Sequence, residues 1–176
     1  SDVNEVPEFG PVAGEISIDE NIAASSFAVT TVVANDEDGD TLSYSLIGDD
    51  ASILSVNGGG NIAFQTSPDY ENPTDSNSDN IYSFAVVASD GDLSATSPNI
   101  LISINNLNDN APTFVDLLTS VEVTNGQINV FDITTTDADG DDVTLSKAGT
   151  DSSVFTISDS GSLSFTSAPD FANPAD

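Results

Sequence analysis

The sequence has very little positive charge: Lys147 is its one basic residue, against 30 aspartates and glutamates. Proteins bind nucleic acid and anionic membrane surfaces mainly through lysine and arginine, so both kinds of partner are excluded. Cysteine is absent, which excludes disulfide bonds, and no apolar run is long enough to insert into a membrane or resembles a signal peptide. We therefore expect the sequence to be a segment of a larger protein.

Histidine is also absent, and with no cysteine and one isolated lysine the chain lacks several of the side chains that enzymes use as general bases and nucleophiles. Asp69 and Glu71 form a candidate carboxylate pair of the glycosidase type. However, nothing in the sequence points to a buried pocket that would raise the pKa of either carboxyl group. We therefore expect no enzymatic activity.

The formal net charge of −29 is the most prominent property of the chain. Such a charge is typical of disordered proteins, but apolar residues alternate regularly along this sequence, which favours a folded chain. A folded chain this acidic repels itself, and bound cations would relieve that repulsion.

An internal repeat organises the sequence. Residues 36–40 (DEDGD) match residues 137–141 (DADGD), and residues 68–73 match residues 169–174, both with an offset of 101 residues. The Pro-x-Phe motif that begins at Pro7 recurs at Pro112. A unit of about 100 residues is the size of a β-sandwich domain and is too long for a solenoid repeat. We predict two repeats, residues 1–110 and residues 111–176.

The first repeat contains seven segments with the pattern of β-strands: residues 16–18, 27–33, 42–46, 53–56, 62–64, 82–88 and 100–104. The glycine-rich residues 57–61 indicate a hairpin turn rather than a phosphate-binding loop, because neither a helix nor a lysine follows them. We therefore predict an all-β protein built of tandem seven-stranded Greek-key β-sandwiches. The second repeat supplies a counterpart of each strand up to residues 162–165. We expect it to be incomplete, truncated before its last two strands or completed by another chain.

Several acidic motifs resemble those of one extracellular family. Residues 106–114 (NLNDNAPTF) closely resemble the linker between cadherin repeats, D-x-N-D-N-x-P-x-F, with Asn106 in place of the first aspartate. Glu20 lies in a segment similar to the early glutamate motif of cadherins, residues 69–71 resemble their D-R-E motif, and residues 137–139 resemble their D-x-D motif. Since the motifs occur in the family's order, the chain is identified as similar to cadherin-like repeats, in particular the bacterial tandem repeats of large surface adhesins.

The resemblance implies that calcium is bound where the repeats join. Calcium takes six to eight oxygen ligands, which these residue types supply. The implied ligands are the side chains of Glu20, Asp69, Glu71, Asn108, Asp109, Asp137 and Asp139 and the carbonyl groups of Leu107 and Asn110.

The N-terminus resembles half of another junction. Asn4, Glu5, Asp36, Asp38 and Asp90 would provide the ligands for one ion there. The outgoing end of the second repeat is poorer in acids, because Ala172 stands at the position of Glu71 and Glu122 is an uncertain match for Glu20.

The acidic segments have two other interpretations. The segments resemble solvated turns, since Asp and Gly favour turns, and without the linker motif this would be the better interpretation. An EF-hand does not fit, because Gly39 lies at position four of the loop rather than position six.

The function implied by the resemblance is that of a calcium-rigidified extender or adhesion module, extracellular and either secreted or on a cell surface. Its partners would be neighbouring repeats of the same chain and a homotypic or other protein adhesion partner. Polysaccharide binding is the alternative, because cadherin-like modules also occur beside polysaccharide-degrading enzymes. Sugar platforms usually need exposed aromatic residues, and the chain has no tryptophan, while its Phe and Tyr residues are expected to be buried.

Overall fold

The structure, a computed structural model, describes residues 3–25 and 29–174. The chain divides into two compact units, Ser1–Leu107 and Asn108–Asp176, which we call unit 1 and unit 2. The repeat boundary predicted between residues 110 and 111 stays a prediction. Each unit is described by itself.

The described residues of unit 1 form ten strands. Five of them, β2, β10, β8, β5 and β9, form one sheet in which the first four are neighbours in that order and β9 pairs with β8. A second sheet has the order β3-β7-β6, and β1 pairs with β4. The strands are β1 (Glu8–Phe9), β2 (Glu15–Asp19), β3 (Thr30–Thr31), β4 (Ala34–Asn35), β5 (Ser43–Ile47), β6 (Leu54–Val56), β7 (Asn61–Phe64), β8 (Ile81–Ser89), β9 (Ser94–Thr96) and β10 (Ile100–Asn105).

The core of unit 1 lies between these two sheets. The alternation of apolar residues along β8 and β10 directs one set of side chains inward, because successive residues of a strand point to opposite faces of the sheet. The ring of Tyr82 on β8 packs edge-on against Phe64 on β7, with 4.9 Å between the ring centroids. Each large apolar side chain that is fully buried in this way stabilises the fold by about 1.5–3 kcal/mol. The inward-facing residues of β8 and β10 are Tyr82, Phe84, Val86, Ala88, Ile100, Ile102 and Ile104.

The all-β prediction is confirmed. All seven predicted segments of the first repeat contain a strand, and β1, β4 and β9 are additional short strands. Of the segment predicted at residues 27–33, the structure forms a strand at Thr30–Thr31, while Phe27 and Ala28 lie outside the described residues. The helical elements of the described chain are two single 3₁₀ turns, η1 (Ala51–Ile53) and η2 (Ser152–Val154).

Unit 2 repeats part of this arrangement. Its strands are β11 (Thr113–Val115), β12 (Asn129–Asp132), β13 (Thr134–Thr136), β14 (Phe155–Ile157) and β15 (Ser162–Phe165). The order β12-β15-β14 corresponds to β3-β7-β6 of unit 1, and the pair β11-β13 corresponds to β1-β4. The turn η2 and strands β14 and β15 lie 101 residues after η1, β6 and β7. Residues that match in the sequence repeat therefore form the same secondary structure in both units.

The prediction of a counterpart for every early strand of the first repeat is wrong in two places. Neither residues 117–124 nor residues 142–148 of unit 2 form strands, although they correspond to β2 and β5. In unit 1, β2 pairs with β10, and β5 pairs with β8. The described part of unit 2 contains no counterparts of β8 and β10, so these two segments have no strand with which to pair.

The hairpin between β6 and β7 depends on Gly60. Its φ of +75° lies in the left-handed region, and a Cβ atom at this position would lie 2.0 Å from the carbonyl oxygen of Val32. Gly161 in unit 2 occupies the same place, where a Cβ would lie 2.2 Å from the oxygen of Ile133. The glycines of the two hairpins therefore allow a close approach between backbones that any side chain would prevent.

Candidate metal site

Three aspartates converge in the turn that follows β4. The Asp36 Oδ1 atom accepts hydrogen bonds from the backbone N–H groups of Asp38 (3.0 Å) and Asp40 (3.2 Å). Gly39, with a φ of +81°, lets the chain reverse within this short segment. As a result, Asp36, Asp38 and Asp40 each present a carboxylate oxygen, and these three atoms lie within 4.8 Å of one another.

One oxygen of this turn is buried without a partner. Asp36 Oδ2 is shielded from solvent and accepts no hydrogen bond from the described residues. A buried carboxylate oxygen without a donor costs free energy, because it has given up its hydration without replacement. A cation at this oxygen would supply what the protein does not.

The N-terminal segment makes hydrogen bonds to two of the predicted ligands. The Asn4 side-chain amide donates to Asp90 Oδ2 at 3.2 Å, and the Glu5 backbone N–H donates to Asp38 Oδ2 at 2.9 Å. Of the five residues predicted for the N-terminal half-junction, the structure joins Asn4 to Asp90 and Glu5 to Asp38, and it places Asp36 in the same turn as Asp38.

The electrostatics of this group reflect its crowding. Partial burial raises the pKa of the Glu5 carboxyl group, and the negative charge of Asp38 raises it further, as do Glu37 and Asp36. The pKa of Asp90 is lowered by hydrogen bonds from the backbone N–H groups of Leu93 (2.6 Å) and Asp92 (2.7 Å). Ionisation of Asp90 is therefore favoured relative to a free aspartate, whereas ionisation of Glu5 is less favourable than that of a free glutamate.

Unit 2 contains an equivalent aspartate turn. Asp137, Asp139 and Asp141 present carboxylate oxygens within 4.8 Å of one another. Asp139 Oδ2 accepts hydrogen bonds from the backbone N–H groups of Asp109 (3.2 Å) and Asn110 (2.8 Å), as Asp38 does from Glu5. The Asn110 side-chain amide also donates to Asp139 Oδ1 at 2.9 Å, and the Asn108 amide donates to Asp141.

A second acidic group lies in unit 1 at Glu20 and Glu71, which present carboxylate oxygens within 4.8 Å of each other. Glu20 is only 2% exposed. Its two oxygens accept hydrogen bonds from the backbone N–H groups of Tyr70 and Leu107, both at 2.8 Å. Asp69 does not join this pair: it is exposed, and its carboxylate accepts a hydrogen bond from the backbone of Asn72 at 3.1 Å.

Two residues of these clusters were missed in the predicted ligand set. Asp40 and Asp141 complete the two aspartate turns, although the sequence motifs predicted only the first two aspartates of each turn as ligands. The signal was present, because the aspartate after the glycine is part of the repeated Asp-Gly-Asp sequence.

The chemistry of these clusters favours a hard cation. Their donors are carboxylate, amide and carbonyl oxygens, which suit Ca²⁺ and Mg²⁺, whereas nitrogen and sulfur ligands suit Zn²⁺ and Cu²⁺. None of the described residues has a side chain that would select a transition metal, since the sequence has neither histidine nor cysteine.

Burial of the aromatic residues differs between the units. Phe64, Tyr82 and Phe84 are buried in unit 1, as expected, but Phe114 and Phe171 of unit 2 are more than half exposed. The expectation that Phe and Tyr residues are buried is therefore wrong for unit 2. The reason is again the absence of counterparts of β8 and β10 among its described residues.

The comparisons with known proteins agree with this architecture. The sequence profile of the bacterial Ig domain family matches residues 7–103, more than half of the chain. No curated protein has a matching sequence. None of the helical turns in residues 3–25 and 29–174 has the length and apolar character needed to cross a bilayer.

Solved structures of cadherins share the fold. Human protocadherin-24 EC1-2 (form II) is similar with a TM-score of 0.74 and 23% identity, over 98% of this chain and 82% of that one. Mouse cadherin-23 EC22-24 gives a TM-score of 0.76 and 23% identity, over 97% of this chain and 56% of that one. Drosophila N-cadherin EC1-4 gives 0.71 and 20%, over 96% of this chain and 42% of that one. At these identities the likeness establishes the cadherin-like fold, as predicted.

Proposed function

The chain belongs to the bacterial Ig domain family, and we propose that it is a calcium-binding structural module, an extender or adhesion segment of an extracellular or cell-surface protein. The observation that carries the proposal is the repeated aspartate turn. Two turns, 101 residues apart, each gather three carboxylates, and each receives a backbone hydrogen bond at its second aspartate from the segment just before the Pro-x-Phe motif of its repeat.

The energetics of the turns support a divalent ion. Two carboxylate charges 4.8 Å apart repel each other by about 3.5 kcal/mol at an effective dielectric constant of about 20. Each turn contains three such pairs, and no lysine or arginine other than Lys147 exists in the chain to offset them. Lys147 donates its ammonium hydrogen bonds to the carbonyl groups of Ser152 and Phe155 instead. A calcium ion would convert this repulsion into attraction.

The size of the effect follows from mass action. Extracellular calcium modules commonly have dissociation constants of about 10⁻⁴ M. At about 10 mM calcium, one such site would add about 2.7 kcal/mol to the free energy of unfolding. This is a large share of the stability of a single domain, which is about 5–15 kcal/mol.

We extend the proposal to the linker between the repeats. Glu20 hydrogen-bonds the linker backbone at Leu107, and Asp139 hydrogen-bonds it at Asp109 and Asn110. The proposed junction ligands are those implied by the cadherin resemblance, with Asp69 as the weakest member because it is exposed and its carboxylate already accepts a hydrogen bond from Asn72. An ion bound there would stiffen the chain between repeats, which is what an extender or adhesion stalk requires.

Isothermal titration of calcium into chelator-stripped protein, together with thermal melting, tests the proposal. We expect more than one ion to bind and the melting temperature to rise. Asp38→Asn should remove binding at the first turn and Asp139→Asn at the second, because each keeps an acceptor oxygen but loses the charge. Asp159→Asn is the matched control, since Asp159 is exposed in a hairpin turn outside the clusters.

A titration without heat and without a change in melting would contradict calcium binding, and equal binding by all three variants would contradict these sites. Stiffening is tested separately by small-angle scattering. The maximum dimension should become better defined with calcium than with chelator, and an unchanged profile would refute the extender role while leaving the sites intact.

A further inference from the structure

Two Asn-Gly pairs occur in the chain, Asn57-Gly58 in unit 1 and Asn125-Gly126 in unit 2. In such a pair the backbone nitrogen of the glycine can attack the side-chain carbonyl carbon of the asparagine, because glycine has no side chain to block a close approach. Ammonia leaves and a cyclic imide forms, which water opens to aspartate or isoaspartate. By sequence the two pairs are equal candidates for this reaction, whereas their surroundings in the structure differ.

The side-chain carbonyl group of Asn57 is surrounded by hydrogen-bond donors. Its Oδ1 atom accepts from the backbone N–H groups of Gly59 (2.9 Å) and Asn61 (3.1 Å) and from the side-chain amide of Asn61 (3.1 Å). Negative charge develops on this oxygen when a nucleophile adds to Cγ, and the donors are already in place, as they are in an oxyanion hole. Removal of one donor from an enzyme's oxyanion hole lowers the rate by about 10²- to 10³-fold.

The two nitrogens that take part in the reaction at Asn57 are unrestrained. Gly58 is exposed, and a Cβ atom at this position would have no atom within 4 Å apart from its chain neighbours. Neither the Gly58 N–H group nor the Asn57 Nδ2 group donates a hydrogen bond to any residue that the structure describes. Attack by Gly58 and departure of the amide therefore break no hydrogen bond.

The pair in unit 2 is held differently. The Gly126 N–H group donates to the carbonyl oxygen of Pro169 at 2.9 Å, so the attacking nitrogen would first have to give up this hydrogen bond. From residues 3–25 and 29–174, Asn125 Oδ1 accepts one hydrogen bond, from the backbone N–H of Phe171 at 2.9 Å. Asn125 thus has fewer donors for the developing charge and a less available nucleophile.

We propose that Asn57 is a self-modification site, at which the hairpin between β6 and β7 promotes attack of the Gly58 nitrogen on the asparagine side chain. The bond from Gly58 N to Asn57 Cγ forms, the Cγ–Nδ2 bond breaks, and the proton of the Gly58 N–H group leaves with the amide as ammonia. Water then opens the imide, and no atom is oxidised or reduced. This inference does not depend on calcium.

The two products differ in their effect on the hairpin. Opening at Cγ gives aspartate, whose carboxylate can accept the same three hydrogen bonds. Opening at the main-chain carbon gives isoaspartate, which lengthens the backbone between residues 57 and 60. The Gly60 N–H group donates to the Asn57 carbonyl at 3.0 Å, and the Gly60 carbonyl accepts from Val32 at 2.9 Å. Isoaspartate should therefore displace Gly60 from Val32 and loosen the hairpin.

The test is incubation of the full chain at neutral pH, in buffer and in concentrated urea, with each site followed by fragmentation mass spectrometry. Conversion increases the mass of a fragment by the difference between a hydroxyl and an amino group. In buffer we expect Asn57 to react at least about 10-fold faster than Asn125 and faster than it does itself in urea, because the donors exist only in the folded chain. In urea the two sites should react at similar rates.

Three variants test the chemistry, and hydrogen exchange at residues 54–64 checks that each keeps the hairpin. Asn61→Ala removes one donor from Asn57 Oδ1 and should slow the reaction in buffer about 10-fold or more. Gly58→Ala should also slow it, since a methyl group then crowds the attacking nitrogen. Ser55→Ala is the matched control, because it removes a different hydrogen bond of the hairpin, to the Ala63 carbonyl, and should leave the rate unchanged.

The proposal is overturned if Asn57 reacts no faster in buffer than in urea, or if Asn125 reacts as fast as Asn57 in buffer. It is also overturned if Asn61→Ala accelerates the reaction, since the looseness of the turn rather than its donors would then control the rate. An unchanged rate in Gly58→Ala would exclude the Gly58 nitrogen as the nucleophile.

Discussion

Glu20 offers the sharpest test of calcium-linked stability. The side chain is buried, both oxygens accept backbone hydrogen bonds, and a carboxylate oxygen of Glu71 lies within 4.8 Å. Glu20→Gln preserves the shape but replaces one acceptor by a donor that faces an N–H group. Loss of that hydrogen bond costs about 1–3 kcal/mol, whereas removal of the charge relieves repulsion of about 3.5 kcal/mol at an effective dielectric constant of about 20.

These two effects oppose each other, so we expect the variant without calcium to differ from the wild type by at most about 2.5 kcal/mol. The part of the free energy of unfolding that depends on calcium should decrease. If the substitution weakens binding tenfold from about 10⁻⁴ M, the stabilisation at about 10 mM calcium falls from about 2.7 to about 1.4 kcal/mol.

Urea unfolding with and without calcium measures both quantities. All three tyrosines, Tyr44, Tyr70 and Tyr82, lie in unit 1, and the chain has no tryptophan, so tyrosine fluorescence reports the unfolding of the unit that contains Glu20. Glu15→Gln is the matched control, because it removes the same charge from an exposed position of β2. The reasoning is refuted if the calcium increment of Glu20→Gln equals that of the wild type and of Glu15→Gln.

Three further predictions concern unit 1. Because the pKa of Asp90 is lowered in the folded state, its carboxylate stabilises the fold fully above the ordinary pKa of 3.8, and this stabilisation is lost as the pH falls through the folded-state pKa. In urea unfolding, Asp90→Asn should therefore be less stable than the wild type at pH 7 and equally stable at about pH 2. A difference that is the same at both pH values would contradict this. Gly60→Ala should lose more than about 1 kcal/mol in the same assay, because its Cβ would lie 2.0 Å from the Val32 oxygen, whereas Gly58→Ala, with open space around its Cβ, should be nearly neutral. Tyr82→Phe should cost about 1 kcal/mol through the hydroxyl contact with Thr74, and Tyr82→Ala about 3–5 kcal/mol through the core cavity; similar losses in both variants would show that the ring does not pack as described.

The sequence by itself determined the class of fold and the location of the acidic motifs. Alternation of apolar residues along residues 82–88 and 100–104 is a local property, and it is enough to predict strands with one buried face. The repeated Asp-x-Asp-Gly-Asp segments are local as well, because a turn of five residues brings its own carboxylates together once the glycine permits the reversal.

The tertiary structure decided the properties that depend on distant partners. Residues 142–148 resemble β5 yet form no strand, since a strand needs a neighbour such as β8 to receive its hydrogen bonds. Phe171 is exposed although its equivalent, Tyr70, is partly covered, and Glu20 is buried although its sequence is that of a polar surface segment. Burial and pairing are set by what lies against a residue from elsewhere in the chain, and no local pattern carries that information.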